Sequence, residues 1–451
     1  MDLVLDRFSK ALKIETRWPE GTLQGDAEAS DPGAAAPFIR FQEFLTGAYP
    51  HFHNAAERWV LSPYSVIYHW KGGDPDGKPV LFLAHYDVVP VEAEKWTVEP
   101  FGAVVKDGYV YGRGSLDMKS ILIGILEGAE ALCAEGFRPK EDVWFAFGGD
   151  EEQTGLLGAQ NAVKWFSEKG IRFSWLLDEG TPIGQGFFPG LDTPMALFGI
   201  EEKGFLSVDL TVRQQPGHAS QPPRVQAAAV LAEALVRLSK KPFPFTLTPA
   251  IVSFFSRLGR LMPGFQGWAL RHARALGPIF FRATAGNAVI ASMLRTTTAM
   301  TQLEGSAADN VMPSAVRGVL NLRLLPPWTV ERALAFIKAA VNDDRVEVSV
   351  HGHANDPIPA NPEHTKLSGP GWADMAAALN EAVPDVPILP FIMVAATDSR
   401  HFKDIAGGIF RFNPFILNSK EIALIHGHDE RVSIENLNRG VRFYTALLKR
   451  L

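Results

Sequence analysis

The sequence predicts an α/β protein with a smaller α+β domain inserted into it, and three observations carry that expectation. Short, nearly continuous apolar runs stop abruptly at His, Asp or Glu, the pattern of strands buried on both faces. After about Glu202 the pattern changes to apolar–polar alternation with two amphipathic helical stretches, and after about Pro357 the first pattern returns. With 451 residues, the chain is too long for one compact core. The expected main domain is 1–201 with 356–451, and the insert is 202–355.

In the main domain the run 80–84 ends at His85, and the run 143–147 ends, after two glycines, at Asp150, Glu151 and Glu152. The run 175–177 ends at Asp178, and 392–396 ends at Thr397 and Asp398. Open α/β sheets hold their ligands just past the carboxyl ends of such strands. Residues 120–133 are apolar almost all round, and Gly136 follows as a C-cap. In the insert, residues 207–212 and 316–324 alternate, as do Val346, Val348 and Val350. Val225, Ala228, Leu231, Leu235 and Leu238 fall at helical spacing, as do Val330, Leu334, Ile337 and Val341. Strands with one wet face plus two helices predict an antiparallel sheet with helices on one side.

The formal charge of −6 carries no polycation signature for nucleic acid. The lone thiol, Cys133, excludes a disulfide-stapled fold and a thiolate zinc site, so any metal must be held by His and carboxylates. No uncharged apolar run reaches membrane-spanning length. Residues 1–21 lack the apolar core of a signal peptide, so the expected location is cytoplasmic.

Five segments carry the chemistry. In Leu83-Ala-His-Tyr-Asp-Val-Val-Pro90, His85 can ligate a metal while Asp87 orients it. In Tyr111-Gly-Arg-Gly-Ser-Leu-Asp-Met-Lys119, Asp117 at the mouth of a helix can cap that helix or offer one oxygen to each of two metals. Phe147-Gly-Gly-Asp-Glu-Glu-Gln-Thr-Gly155 sets three acids after a buried strand. Their repulsion asks for divalent cations, and adjacent glutamates can divide ligation from general-base work. Trp175-Leu-Leu-Asp-Glu-Gly180 puts another carboxylate past a strand. In Leu424-Ile-His-Gly-His-Asp-Glu-Arg431, either His can ligate.

In this order the segments resemble the di-zinc metallopeptidase superfamily of glutamate carboxypeptidase, aminoacylase-1 and succinyl-diaminopimelate desuccinylase. The nearest resemblance is to its carboxypeptidase S and N-fatty-acyl-amino-acid hydrolase/synthase branch. Further phrases that carry it are Gly217-His-Ala-Ser, Asn310-Val-Met-Pro, Asn321-Leu-Arg and Thr397-Asp-Ser-Arg-His-Phe. The resemblance implies a mixed-sheet zinc-peptidase catalytic domain with helices on both faces, plus an inserted lid and dimerisation domain. It implies two Zn2+, with Co2+ or Mn2+ served by the same ligand types. His85 and Asp178 would hold one ion, Glu152 and His426 the other, and Asp117 would bridge them. Glu151 would be the general base and Asp87 the support of His85. His218 would reach the site of a partner subunit in a homodimer. Asn310 and Arg323 would grip the substrate, with Arg400 a further candidate for that pocket. The implied reaction is hydrolysis of the amide bond of an N-acyl amino acid or short peptide with a free C-terminal carboxylate. Its alternatives are an N-fatty-acyl-amino acid synthase/hydrolase and a cytosolic dipeptidase.

One stretch stands apart. Between Ala234 and Leu303 there is no Asp or Glu, while Arg237, Lys240, Lys241, Arg257, Arg260, Arg271, Arg274, Arg282 and Arg295 alternate with large apolar side chains. By the same resemblance, residues 241–299 would be the equivalent of a long insertion that the branch carries in its smaller domain. They read as a helical pair with exposed arginines, or as an apolar, cationic entry for long-chain substrate with peripheral contact to a membrane surface.

Overall fold

The computed structural model describes residues 3–18, 32–188, 190–284, 286 and 288–451. Of the N-terminal stretch read above, residues 1–2 and 19–21 lie outside the described residues. The chain forms two compact units, 1–200 with 361–391 and 397–451, and 201–360 with 392–396. The divisions thus fall at 200/201 and 360/361, against an expected 201/202 and 355/356, with two more at 391/392 and 396/397 where none was expected.

The first unit is built on an eight-stranded mixed sheet. From edge to edge its strands are Ala56–Ser62, Ser65–Trp70, Val143–Gly148, Val80–His85, Trp175–Gly184, Ile409–Leu417, Met195–Glu202 and Ile388–Met393. The central four run parallel, so their carboxyl ends share one edge. Every residue of Val80–His85 and Val143–Gly148 is buried, which explains their unbroken apolar runs. The expected strand at 392–396 lies earlier, at Ile388–Met393. Pro390 hides it from a periodicity reading, and its place at the sheet edge is where a strand tolerates proline. Helix Lys119–Ala134 covers the expected 120–133 and ends where Gly136 turns left-handed (φ +74°), with Gly136 and Phe137 donating to Cys133 and Leu132 carbonyls.

The second unit holds a four-stranded antiparallel sheet, in the order Thr297–Glu304, Ala315–Leu324, Gly204–Arg213 and Val346–Asn355. Leu206, Val208, Leu210 and Val212 alternate inward and share one core with helices Ala227–Lys240 and Val330–Val341. Thr329 caps the latter, accepting from the Arg332 amide. Among the described residues, 241–299 holds four helices, Pro249–Leu261, Gly264–Arg271, Ala273–Thr284 and Ala288–Leu294, where a pair was expected. One extra break falls at Pro263-Gly264, where Gly264 has φ +65°, and Gly277 kinks Ala273–Thr284 from within. Lys203, buried, ties the end of this stretch to the sheet by donating to the carbonyls of Ser292 and Arg295.

Candidate metal centre

Parallel strands deliver the first ligand candidates. Val80–His85 ends in His85, Val143–Gly148 leads into Glu151 and Glu152, and Trp175–Gly184 carries Asp178 and Glu179. Asp117 comes from the turn before helix Lys119–Ala134, and His426 from the loop before Arg431–Ser433. These groups converge. His85 Nε2 lies 3.0 Å from Asp117 Oδ1 and 3.3 Å from Glu179 Oε1. His426 Nε2 lies 3.1 Å from the other Asp117 oxygen and 3.0 Å from Glu152 Oε1. Asp117 therefore stands between the two imidazoles, one oxygen towards each. Of the two loop histidines that could ligate, His426 is the one that meets the acids. It does so from a left-handed backbone (φ +59°), a conformation few non-glycine residues adopt and one found preferentially at functional positions.

Asp87 sits behind this group, fully buried. Its Oδ1 lies 3.2 Å from His85 Nδ1, and its two oxygens accept the backbone amides of Glu151 (3.2 Å) and Glu152 (3.0 Å). One carboxylate thus orients an imidazole and the turn that carries two further acids. Arg400 donates to the carbonyls of Thr397 and Thr154, which holds its guanidinium 3.6 Å from Glu151 Oε1.

Two features lay beyond the sequence reading. Asp178, assigned to the His85 ion by the resemblance, turns its Oδ2 onto the Ser399 amide at 2.8 Å, while Glu179 is the acid that faces His85. Glu430, buried, accepts from Arg113 Nη1 (2.6 Å) and from the amides of Gly114 (3.2 Å), Leu116 (2.7 Å) and Asp117 (3.2 Å). It clamps the Asp117 turn to the His426 loop. Its only sequence signal is being a second acid beside a His-rich loop.

The site's electrostatics call for cations. Burial pushes the Glu151 carboxyl well up and raises Glu152, while burial and then Asp117 push Glu179 up to about 8. Burial also opposes the ionised form of Asp117, but hydrogen bonds from His426 and His85 outweigh it and hold its carboxyl below the usual range. Hydrogen bonds to Asp117 and Glu152 lift His426 to about 10. So many acids this close need positive charge among them. Two trios, His85 with Asp117 and Glu152, and His85 with Glu151 and Glu179, each bring their ligand atoms within 4.8 Å of one another. Imidazole nitrogen and carboxylate oxygen suit Zn2+, and also Co2+ and Mn2+. The residues present fit divalent metal.

The substrate-gripping candidates lie in the second unit. His218 is exposed, paired across a short ladder with Val311, and the Ala219 amide donates to the Asn310 carbonyl. The Ser220 amide donates to His218 Nδ1 (3.1 Å), which leaves Nε2 as the N–H of the neutral ring. Arg323 lies with its guanidinium 5.0 Å from the centroid of the Phe205 ring.

Comparison with known proteins gives concordant results. Residues 81–450 match the model of Peptidase family M20/M25/M40. The chain is 35% identical over 415 residues to "Probable carboxypeptidase S-like 2" of Dictyostelium discoideum, covering 91% of this chain and 79% of the relative. It is 34% identical over 440 residues to "N-fatty-acyl-amino acid synthase/hydrolase PM20D1" of Mus musculus, covering 97% and 86%. In structure it is similar to the M20 family metallo-carboxypeptidase Sso-CP2 from Sulfolobus solfataricus, with a TM-score of 0.72 at 16% identity over 100% of this chain and 99% of that one.

Proposed function

This chain belongs to peptidase family M20/M25/M40, and on that premise we propose that it cleaves the amide bond of N-acyl amino acids or short peptides bearing a free C-terminal carboxylate. The observation that carries the reading is Asp117 set between His85 and His426, with Glu152 and Glu179 beside them. We assign one divalent ion to His85 and Glu179, the other to Glu152 and His426, and Asp117 to both, with zinc the preferred metal. Bound there, the ions supply Lewis acidity that acidifies water and polarises the amide carbonyl.

The chain's own groups do the rest. Glu151, whose carboxyl burial keeps basic, takes a proton from water and returns it to the leaving amine. Arg400 beside it holds its orientation. His218 Nε2–H would donate to the developing oxyanion, from a second copy of the chain in a homodimer, with Asn310 beside it. Arg323 offers a planar fork for the substrate carboxylate. Residence in the cytoplasm belongs to the same proposal, motivated by the lone thiol, Cys133.

A second reading, synthesis and hydrolysis of N-fatty-acyl amino acids, is favoured by the names of the relatives at 34% identity. It uses the same groups in both directions. The test of the main reading is Glu151→Gln. The variant is expected to retain metal while turnover of acyl amino acids falls by about 10²–10⁴. Full turnover in the variant would remove Glu151 as the base.

A further inference from the structure

The chain has 30 Phe and 10 Trp, all of them described, and just two are exposed: Phe265 at 77% and Trp268 at 41%. They share one turn of helix Gly264–Arg271, with ring centroids 5.6 Å apart and stacked. The helix is seated to present them. On its inner side Gly267 packs so closely that a Cβ there would lie 2.0 Å from the Met262 carbonyl oxygen, and Arg271 Nη1 donates to the Gly259 carbonyl at 2.7 Å. The next helix adds Ile279 at 72% exposure. Arg260 stands exposed on the preceding helix, Pro249–Leu261, and Arg274 and Arg282 on the following one, Ala273–Thr284. No Asp or Glu lies anywhere between Ala234 and Leu303. Leaving a Phe and a Trp in water forgoes the stabilisation that burial gives every other such ring in the chain.

We propose that this face docks peripherally on an anionic lipid bilayer, with Phe265, Trp268 and Ile279 entering the interfacial layer and Arg260, Arg274 and Arg282 meeting headgroup phosphates. Aromatic rings beside arginine are the composition of interfacial helices. A field of one sign, carried on the two helices that flank the aromatic pair, complements a laterally uniform negative surface rather than the point-by-point pattern of one protein partner. Among the described residues no helix is long and apolar enough to cross a membrane, so the attachment is at the surface. The proposal is independent of the metal centre.

The test is co-sedimentation of the full chain with vesicles of pure phosphatidylcholine and of about three parts phosphatidylcholine to one part phosphatidylglycerol. Binding is expected to the anionic vesicles, at least roughly tenfold above neutral ones, and to weaken with salt. Phe265→Ser with Trp268→Ser should abolish it, and Arg274→Glu with Arg282→Glu should reduce it by about tenfold or more. Both variants should keep the wild-type melting temperature and turnover of a short soluble substrate. Equal binding to both vesicle types, no binding to either, or unchanged binding by the variants overturns the proposal. So does a concentration-dependent dimer in sedimentation velocity that the Phe265/Trp268 variant loses, which would give the patch to a second copy.

Discussion

Asp178 and Glu179 show what one step along a strand decides. Successive side chains leave opposite faces of a strand. Glu179 therefore meets His85, while Asp178 takes the Ser399 amide, and Ser399 in turn accepts from the buried Arg411 Nε at 2.8 Å. Glu179→Gln is expected to weaken metal binding more than tenfold, and Asp178→Asn to weaken it less, in zinc titrations of apo protein. The opposite ranking would give the ligand role to Asp178. Lys203 yields a prediction of a different kind. Burial, and then the charges of Arg323 and Arg295, push its ammonium down to about 7. Unfolded, it titrates near 10.4. Between about pH 7 and pH 10 the unfolded chain thus binds the extra proton, and stability contributed at this residue rises with pH. Urea titrations of wild type and Lys203→Met across that window should show the difference moving in favour of wild type as pH rises. A pH-independent difference would mean that Lys203 keeps an ordinary pKa.

At the scale of elements, the Lys119–Ala134 helix lies against Ile434–Leu448, and two glycines separate propensity from packing. A Cβ on Gly124 would meet Tyr444 and Gly440 at 3.4 and 3.5 Å, ordinary contact. A Cβ on Gly128 would lie 2.9 Å from the Thr445 amide nitrogen and 3.1 Å from its Cα, backbone atoms that cannot step aside. Alanine is a better helix former than glycine by about 1 kcal/mol. Gly124→Ala should therefore raise the melting temperature or leave it unchanged, while Gly128→Ala should lower it, at a cost of about 1–3 kcal/mol for the forced separation. Stabilisation by both would mean that the helices part freely. Glu430 works at the same scale. A single buried carboxylate, paired with Arg113 and three amides, sets the distance between the turn that carries Asp117 and the loop that carries His426.

For the whole molecule, the crowding of Asp117, Glu151, Glu152 and Glu179 predicts that cations stabilise the folded chain. An ion that binds the folded chain stabilises it by RT ln(1 + [L]/Kd), about 2.7 kcal/mol at a hundred times Kd. Chelated protein is expected to melt earlier, and its melting temperature to climb with added zinc. A melting temperature indifferent to both treatments would argue against metal at this centre.

The sequence by itself determined the α/β class and the strands buried on both faces. Those features are local. An apolar run, a glycine stop or an amphipathic repeat such as Val330, Leu334, Ile337 and Val341 is written in neighbouring residues, and it survives whatever the rest of the chain does. Even here a proline hid one strand, and the acid-free stretch broke into more helices than its pattern suggested. Only the tertiary structure decided which acid faces His85 and that Glu430 clamps two segments far apart in sequence. Those outcomes depend on strand direction, backbone sign and the distance between remote segments, none of which leaves a mark in a residue's own neighbourhood.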